Sequence, residues 1–194
     1  MSLLVADAAT EPWDHDPVLE TERLALRPFA RDDVARYQAM CADPEVMRYL
    51  GGPWTPAQTE QRMGASNRRF AAEGYSMIAV ERRSDGRFLG SAGLTVERWY
   101  PDDLQLGWRL APEHWGHGYA TEAARAWMDY GFTAHHRDRI HAMADVPNHR
   151  SVAVMRRIGM QWDHEAALMD GDQEFDAVVY VITREQWQAG TAPG

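Results

Sequence analysis

Apolar and polar residues alternate along residues 104–110, and beyond residue 119 the apolar residues recur with a different period. In the first stretch the apolar positions are Leu104, Leu106, Trp108 and Leu110. This period of two predicts a strand with one buried face. In the second stretch the positions are Ala120, Ala123, Ala124, Trp127 and Gly131. That spacing forms one stripe of a helix, so the sequence predicts a strand, a turn and a helix over residues 104–133.

The same patterns predict the rest of a single α/β domain with a mixed sheet. Strands are predicted over residues 21–29, 75–81, 88–96 and 139–146, with two more within residues 160–182. Helices are predicted after the acidic pair Asp32 and Asp33 and over residues 56–72 and 148–158. Residues 97–103 are predicted to form a loop. We expect a flexible N-terminal arm over residues 1–20, the domain over residues 21–187 and a short C-terminal tail over residues 188–194.

Two glycines, Gly116 and Gly118, lie between the predicted central strand and its helix. Glycine lets a backbone come close to a ligand, and the first turn of a helix presents unpaired N–H groups and partial positive charge. The junction therefore suits a phosphate or another anion. The alternative is a turn that only redirects the chain. The spacing is not that of a P-loop or a dinucleotide-binding loop, since Thr121 stands where the latter has its third glycine.

The amino-acid sequence of this junction, APEHWGHGYATEA, resembles the pyrophosphate-binding motif of the GNAT acetyltransferases, in their RimJ/RimL-like branch. The family pattern Q/R-x-x-G-x-G/A falls on Trp115, Gly118 and Ala120, with Trp115 in place of the usual Gln or Arg. The phrase ETERLALRPF near the start is also typical of the family. The resemblance implies the GNAT acyl-CoA N-acyltransferase fold, a mixed and mostly antiparallel central sheet flanked by helices, and acetyl-CoA as cosubstrate. The residues that it implies for binding acetyl-CoA are Trp108, Leu110, Trp115, Gly116, His117, Gly118, Tyr119, Ala120, Thr121, Asn148 and Ser151.

A second motif begins the helix predicted over residues 148–158. Asn148 is a favoured N-cap residue and Ser151 is the third helical residue after it, so capping alone accounts for both. The phrase from Asn148 onwards also resembles the family signature N-x-x-S…K-x-G-F, in which the Asn contacts the pantetheine arm. Both interpretations stay open from the sequence.

The resemblance implies that an amine attacks the thioester directly within a ternary complex. Such a site must polarise a carbonyl, protonate the departing sulfur and remove a proton from an ammonium group. A backbone N–H near Leu110, at the end of the central strand, is expected to polarise the carbonyl. Many GNAT enzymes take their acid from a tyrosine seven residues after the Asn, where this chain has Met155. Ser151 is therefore the candidate acid, the duty that this serine has in RimL-like members.

The general base is less well defined by the sequence. Some GNAT N-acetyltransferases have a Glu five residues before the Asn, where this chain has Met143. Asp145, at the end of its predicted strand, is the nearest carboxylate and the first candidate. The other candidates come from the predicted loop before the central strand and are Glu97, Asp102 and Asp103. A water chain that serves the amine is a further alternative.

Composition and charge limit the classes of molecule that the protein is expected to bind. A net charge of −9 argues against binding to nucleic acid or anionic membranes and is compatible with an amine acceptor, either a small molecule or a protein N-terminus. Cys41 is the single cysteine, so no internal disulfide can form; together with a start that lacks a secretory signal pattern, this predicts a cytoplasmic protein. No apolar run approaches the ~18–20 residues of a membrane span. The eight histidines show no metal-binding spacing, and we predict no metal.

Two hypotheses concern assembly and activity. The apolar stretch 177–182 suggests pairing of two copies in a homodimer, although a buried central strand has the same pattern. The function predicted is an N-acetyltransferase that moves acetyl from acetyl-CoA to a primary amine. Because Met143 and Met155 stand at the family's base and acid positions, a non-catalytic acyl-CoA-binding module is the rival.

Overall fold

The structure is a computed structural model that describes residues 17–190, and within them it contains one eight-stranded sheet. The strands are β1 (Leu19–Glu20), β2 (Leu24–Arg27), β3 (Met77–Arg82), β4 (Arg87–Glu97), β5 (Tyr100–Leu110), β6 (Arg139–Asp145), β7 (Gln161–Asp170) and β8 (Gln173–Thr183). The helices are α1 (Asp33–Cys41), α2 (Pro56–Glu73), α3 (Tyr119–Thr133), α4 (His149–Arg157) and α5 (Arg184–Gln188).

The strand order is β1-β2-β3-β4-β5-β6-β8-β7, and every neighbouring pair is antiparallel except β5 with β6. This confirms the predicted mixed, mostly antiparallel sheet flanked by helices. The parallel pair is short, because β5 and β6 are in register only at Leu104 with Ile140 and at Gln105 with His141. Beyond those pairs the two strands separate, and the separation forms the cleft described below.

The predicted helical stripe packs on one face of the sheet. Ala123, Ala124 and Trp127 are fully buried between α3 and the strands. At Gly131 a Cβ atom would lie 2.7 Å from the Cδ1 atom of Ile140 on β6, so glycine is needed for the helix to approach this closely. The stripe therefore fixes α3 directly beside the strand pair that opens.

A second apolar layer covers the opposite face. Phe29, Tyr37 of α1 and Met63 of α2 are buried there against the sheet. Asn67 of α2 accepts a hydrogen bond from the Phe29 N–H and donates one to the Phe29 carbonyl oxygen, both at 2.8 Å. Since both faces are covered, the alternate residues Gln105, Gly107 and Arg109 of β5 are partly buried rather than fully exposed, contrary to what a single buried face implies.

The cap of α1 differs in detail from the expectation. Asp32 is the N-cap residue but its side chain makes no capping hydrogen bond. Instead the buried Asp33 accepts a hydrogen bond from the Ala30 N–H at 2.8 Å and pairs with Arg27 at 2.6 Å. Arg27 also pairs with Glu81 at 2.7 Å, so one guanidinium ties the start of α1 to β2 and β3.

The predicted loop over residues 97–103 is wrong. Strands β4 and β5 are eleven residues each and meet at a tight turn of Arg98 and Trp99. The turn is held from outside, because Arg98 and the Trp99 indole N–H both bond to the carbonyl oxygen of Met169 on β7. Polar residues that suggested a loop are thus part of a strand whose partners lie far along the chain.

The predicted strand over residues 21–29 is shorter than expected, and Leu19 and Glu20 form a separate strand beside β2. Most of the predicted arm over residues 1–20 lies outside the described residues, as do residues 191–194 of the predicted tail. The domain limits at residues 21 and 187 stay predictions. None of the helices within residues 17–190 is long and apolar enough to cross a membrane.

The stretch 177–182, on which the homodimer hypothesis depended, belongs to β8. This strand lies between β6 and β7, and Ala177 and Val179 are buried. The apolar pattern therefore reflects an internal strand, which was the alternative explanation, and it gives no support to pairing of two copies.

His141 on β6 is a fully buried ionisable side chain. Its Nε2 atom lies 3.2 Å from Gln105 Oε1, its ring lies 4.8 Å from the Tyr100 ring, and its Nδ1 atom has no partner within residues 17–190. Burial lowers the pKa of His141 to about 4, since charging the ring inside the sheet is costly.

We expect His141 to make the fold acid-sensitive. The pKa of His141 is lower in the folded protein than in the unfolded chain. The contribution of its neutral ring to the free energy of unfolding is therefore complete above pH ~6.5 and is lost as the pH falls towards ~4. The loss expected at pH ~4.5 is about 2–3 kcal/mol. Urea unfolding at both ends of this range should show a steeper decline for the wild type than for His141→Phe, which keeps the ring packing but cannot titrate. Equal declines would contradict this account.

Candidate active site

A cleft of about 2320 Å³ opens where β5 and β6 separate. It is lined by residues 106–110 of β5, residues 143–145 of β6, the junction 114–122 and the start of α4. The predicted central motif and the predicted second motif therefore border the same space. All of the residues predicted to bind acetyl-CoA line this cleft.

The end of β5 presents a peptide group to the cleft. The Ala111 N–H donates to the Leu89 carbonyl oxygen at 2.9 Å, so Ala111 belongs to a hydrogen-bonded pair with β4. Since such pairs alternate in an antiparallel ladder, the N–H and C=O of Leu110 point to the opposite side, where β6 has moved away. The Leu110 carbonyl accepts the Trp115 indole N–H at 2.8 Å. This leaves the Leu110 N–H available to a ligand.

The backbone of the glycine-rich junction has a conformation that residues other than glycine rarely adopt. Gly116 and Gly118 have φ of +79° and +81°, in the left-handed region. Gly118 is the N-cap of α3 and has no side chain to accept the N–H groups of Tyr119, Ala120 and Thr121, which lack acceptors within the helix. A Cβ atom at Gly116 would meet nothing within 4 Å. Unpaired donors beside open space fit a phosphate group.

Thr21, Arg23 and Glu122 form a group of polar contacts, here called the staple, that holds this junction in place. The sequence did not reveal it. Arg23 donates to the His117 carbonyl oxygen at 3.0 Å and to Glu122 at 2.6 Å, and its guanidinium lies 4.7 Å from the Tyr119 ring. Thr21 donates to the same carboxylate at 2.5 Å. Burial acts to raise the pKa of Glu122, but the hydrogen bonds from Thr21 and Arg23 outweigh it and lower that pKa. Glu122 thus stays ionised and binds Arg23, leaving the helix N–H groups free.

The two predicted catalytic side chains, Asp145 and Ser151, flank the turn from β6 to α4. The Asn148 N–H donates to the Asp145 carbonyl oxygen at 2.8 Å, and the Ser151 N–H donates to Asn148 Oδ1 at 3.2 Å. Asn148 therefore caps α4 as predicted. The Ser151 hydroxyl takes no part in this cap and has no hydrogen-bond partner among residues 17–190. Asp145 is half-buried, and burial raises the pKa of its carboxyl group.

The other predicted bases are less favourably placed. Asp103 is paired with Arg139 at 2.6 Å across the sheet, and Asp102 is exposed and does not line the cleft. Glu97 lines it and accepts a hydrogen bond from the Thr95 hydroxyl at 3.0 Å. Asp145 and Glu97 are thus the two predicted acids that face the cleft. No group of three or more His, Cys, Asp or Glu side chains in residues 17–190 is placed to hold a metal ion.

The segment between α1 and α2 forms the far wall of the cleft. Arg48, Tyr49, Leu50 and Trp54 line it. From the opposite side Arg150 of α4 pairs with Glu45 at 3.1 Å and lies over the Trp115 ring at 4.4 Å. These long-range contacts carry no local sequence signal, so the wall was not predictable in detail.

Residues 23–161 match the family described as the acetyltransferase (GNAT) domain. The chain therefore belongs to the GNAT acetyltransferase family, and its fold is the GNAT fold. It is an acetyltransferase, and enzymes of this family use acetyl-CoA.

Three similar proteins illustrate the range of the family. YkkB of Bacillus subtilis strain 168, an uncharacterised protein, is 34% identical over 146 residues, which cover 74% of this chain and 85% of YkkB. A GNAT-family acetyltransferase from Bacillus anthracis has a crystal structure that superposes with a TM-score of 0.76 at 26% identity, covering 86% of this chain and 98% of the other. The spermidine N(1)-acetyltransferase of Escherichia coli K12 is 26% identical over 143 residues, which cover 72% of this chain and 74% of that enzyme.

We expect Gly118→Val to weaken acetyl-CoA binding. A β-branched residue at φ +81° is strained, and its Cβ atom would lie 3.4 Å from Arg23 Nη2 in the staple. If the backbone relieves strain of ~1–3 kcal/mol by moving, the affinity falls about 10–100-fold. Calorimetric titration of acetyl-CoA measures the change.

The matched control for this substitution is Gly86→Val. Gly86 has φ of +65° and open space around it, but it lies in the turn between β3 and β4, away from the cleft. The Gly86→Val protein should lose comparable stability and keep its affinity for acetyl-CoA. A folded Gly118→Val protein that binds acetyl-CoA as the wild type does would disprove the assignment of this junction.

Proposed function

We propose that this enzyme transfers acetyl from acetyl-CoA to a primary amine by direct attack within a ternary complex. The observation that carries the proposal is the Leu110 peptide group, which points into the gap between β5 and β6 beside the glycine-rich start of α3. A donor fixed there costs no reorganisation when negative charge develops on a carbonyl oxygen. Relatives named as N-acetyltransferases, among them the spermidine enzyme, support the choice of an amine.

The lining of the cleft indicates which residues would hold acetyl-CoA. The N–H groups of Tyr119, Ala120 and Thr121 are suited to its pyrophosphate, and Asn148 is suited to its pantetheine arm. When bound, acetyl-CoA supplies an acetyl group activated as a thioester. Trp108 and Trp115 border the same space and present apolar rings to it.

The proton transfers are assigned to Asp145 and Ser151, which flank the turn from β6 to α4. Asp145 accepts a proton from the ammonium group, and the raised pKa of this half-buried carboxyl group brings it closer to that of an amine. The free amine nitrogen forms a bond to the acetyl carbon and releases its second proton to solvent, while the bond from that carbon to sulfur breaks. Ser151, whose hydroxyl is not used elsewhere, donates a proton to the sulfur and recovers one from solvent. The Leu110 N–H stabilises the charge on the carbonyl oxygen.

Two finer assignments belong to the same proposal. The wording of the junction and the N-x-x-S motif with its serine favour the RimJ/RimL-like branch of the family. The acceptor is then either a peptide or protein N-terminus or a small-molecule amine. A cytoplasmic location, favoured by the single cysteine, completes the proposal.

A panel of amines with acetyl-CoA tests this function. We expect thiol release that depends on the amine and saturates with it. The rival is a module that binds acyl-CoA without turning it over, a reading supported by Met143 and Met155 at the family's base and acid positions. Tight binding of acetyl-CoA without thiol release across α-amino acids, peptides, polyamines and aminoglycosides would favour the rival.

A further inference from the structure

Arg109 on β5 has a positive charge that no carboxylate of residues 17–190 balances. Its Nη1 atom contacts two neutral groups, the Tyr37 hydroxyl at 3.5 Å and the Cys41 sulfur at 3.4 Å. Its Nε atom is buried and has no hydrogen-bond partner in the described chain. A buried donor of a charged group that stays unpaired is costly, so it calls for an explanation.

Arg27 shows how this fold satisfies an arginine that serves only structure. Its guanidinium binds the carboxylates of Asp33 and Glu81 and the carbonyl oxygen of Pro28. Within residues 17–190 Arg109 has neither kind of acceptor, although it is half-buried and lies on the same sheet. The comparison points to an acceptor outside the described residues, and a bound anion fits that role.

A second arginine joins Arg109 at the wall of the cleft. The guanidinium of Arg109 lies 4.2 Å from the ring of Trp54, and that of Arg62 lies 4.5 Å from the same ring. Arg62 also forms no ion pair within residues 17–190. All three side chains line the cleft. Two cations against one indole repel each other, and an anion between them would remove that repulsion.

The position of this cluster relates it to the acceptor. Arg109 directly precedes Leu110, and successive side chains of a strand point to opposite faces. Leu110 packs into the core beside α3, whereas Arg109 contacts α1 and the segment before α2. The cluster therefore lies on the face of the sheet opposite α3, one residue from the peptide group that is assigned to the acetyl carbonyl, where an acceptor must approach.

Building on the function proposed above, we propose that Arg109 and Arg62 bind the carboxylate of an amino acid whose amine is acetylated. Guanidinium groups match carboxylates in geometry and charge. Asp145 lines the same cleft from β6, forms no ion pair within residues 17–190 and suits the ammonium group of such a zwitterion. A polyamine has a positive charge where the carboxylate would lie, so it is a poorer acceptor here.

The test compares α-amino acids with their amides, which keep the amine and lack the carboxylate, and with spermidine. Thiol release from acetyl-CoA gives kcat/KM for each acceptor. For the wild type we expect the acids to be preferred over the amides by about 10–100-fold, the usual effect of a hydrogen-bonded charge. In Arg109→Gln this preference should disappear, through a higher KM for the acids and little change for the amides.

Three further variants make the test specific. Arg36→Gln changes the charge equally on the exposed face of α1, outside the cleft, and should keep the preference. Arg109→Lys, which retains the charge but not the planar donor pair, should keep part of it. If Arg109→Gln does not fold, the exposed Arg62→Gln replaces it, with a smaller reduction expected.

The outcomes separate this inference from the function on which it depends. Thiol release with equal efficiency for acids and amides, or with spermidine preferred, would overturn the inference and leave acetyl transfer standing. A loss of kcat/KM in Arg109→Gln that is equal for acids and amides would also overturn it. No thiol release with any amine would overturn both.

Discussion

Replacing Ser151 with alanine should lower kcat by about 10²-fold or more, within the ~10²–10⁴ range for a lost general acid. The lower end is expected because a water molecule can partly replace the hydroxyl. The KM for acetyl-CoA should change little, since the serine acts as the sulfur departs. The cost in stability should be at most about 1 kcal/mol, because the α4 cap uses Asn148 Oδ1 and not the Ser151 hydroxyl.

Steady-state kinetics and urea unfolding of two variants separate catalysis from capping. Asn148→Ala removes the cap, so it should lose about 1 kcal/mol of stability and raise the KM for acetyl-CoA. Ser151→Ala should show the opposite pattern, with a large effect on kcat and a small one on stability. A Ser151→Ala enzyme with the kcat of the wild type would remove this serine from the mechanism.

Replacing Asp145 with asparagine should lower kcat/KM by about 10²–10⁴-fold while the protein becomes no less stable at pH 7. The pKa of this carboxyl group is raised by burial, so the folded state favours its protonated form. Above the folded pKa the ionised group therefore opposes folding, and a neutral amide relieves that cost. Such a residue is kept for its chemistry.

Profiles of kcat/KM against pH, together with unfolding at pH 7, measure both effects. In the wild type the rate should rise with pH through the titration of Asp145, and in Asp145→Asn this limb should disappear. Asp102→Asn makes the same change of charge on an exposed site outside the cleft and should behave as the wild type. If Glu97→Gln abolishes activity and Asp145→Asn does not, the base is Glu97.

Elements that depend on local spacing were predictable from the sequence. The strand, turn and helix over residues 104–133 are confirmed, because period and glycine placement act within a few residues. The start of α4 at Asn148 and the hairpin turn at Gly171 and Asp172 are confirmed for the same reason. These elements include most of the predicted cofactor loop.

Features that depend on partners distant in sequence were not predictable. Asp103 suggested a loop, yet it faces Arg139 across the sheet, 36 residues later. Arg109 lies between the apolar positions of a strand that was predicted to have one buried face, but α1 and the segment before α2 pack against its side chain. The Arg23 staple on Glu122 joins residues 99 apart, with no local pattern to reveal it.

The central claim is that the cleft between β5 and β6 moves acetyl to an amine. Its most direct test follows the release of thiol from acetyl-CoA and the mass of the amine in one reaction. We predict one acetylated amine for each thiol released and no stable acetylated protein when the amine is omitted. In Gly118→Val at limiting acetyl-CoA, both products should form about 10–100-fold more slowly. Thiol release without an acetylated amine, or an acetylated protein that forms first and then reacts, would contradict direct transfer in this cleft.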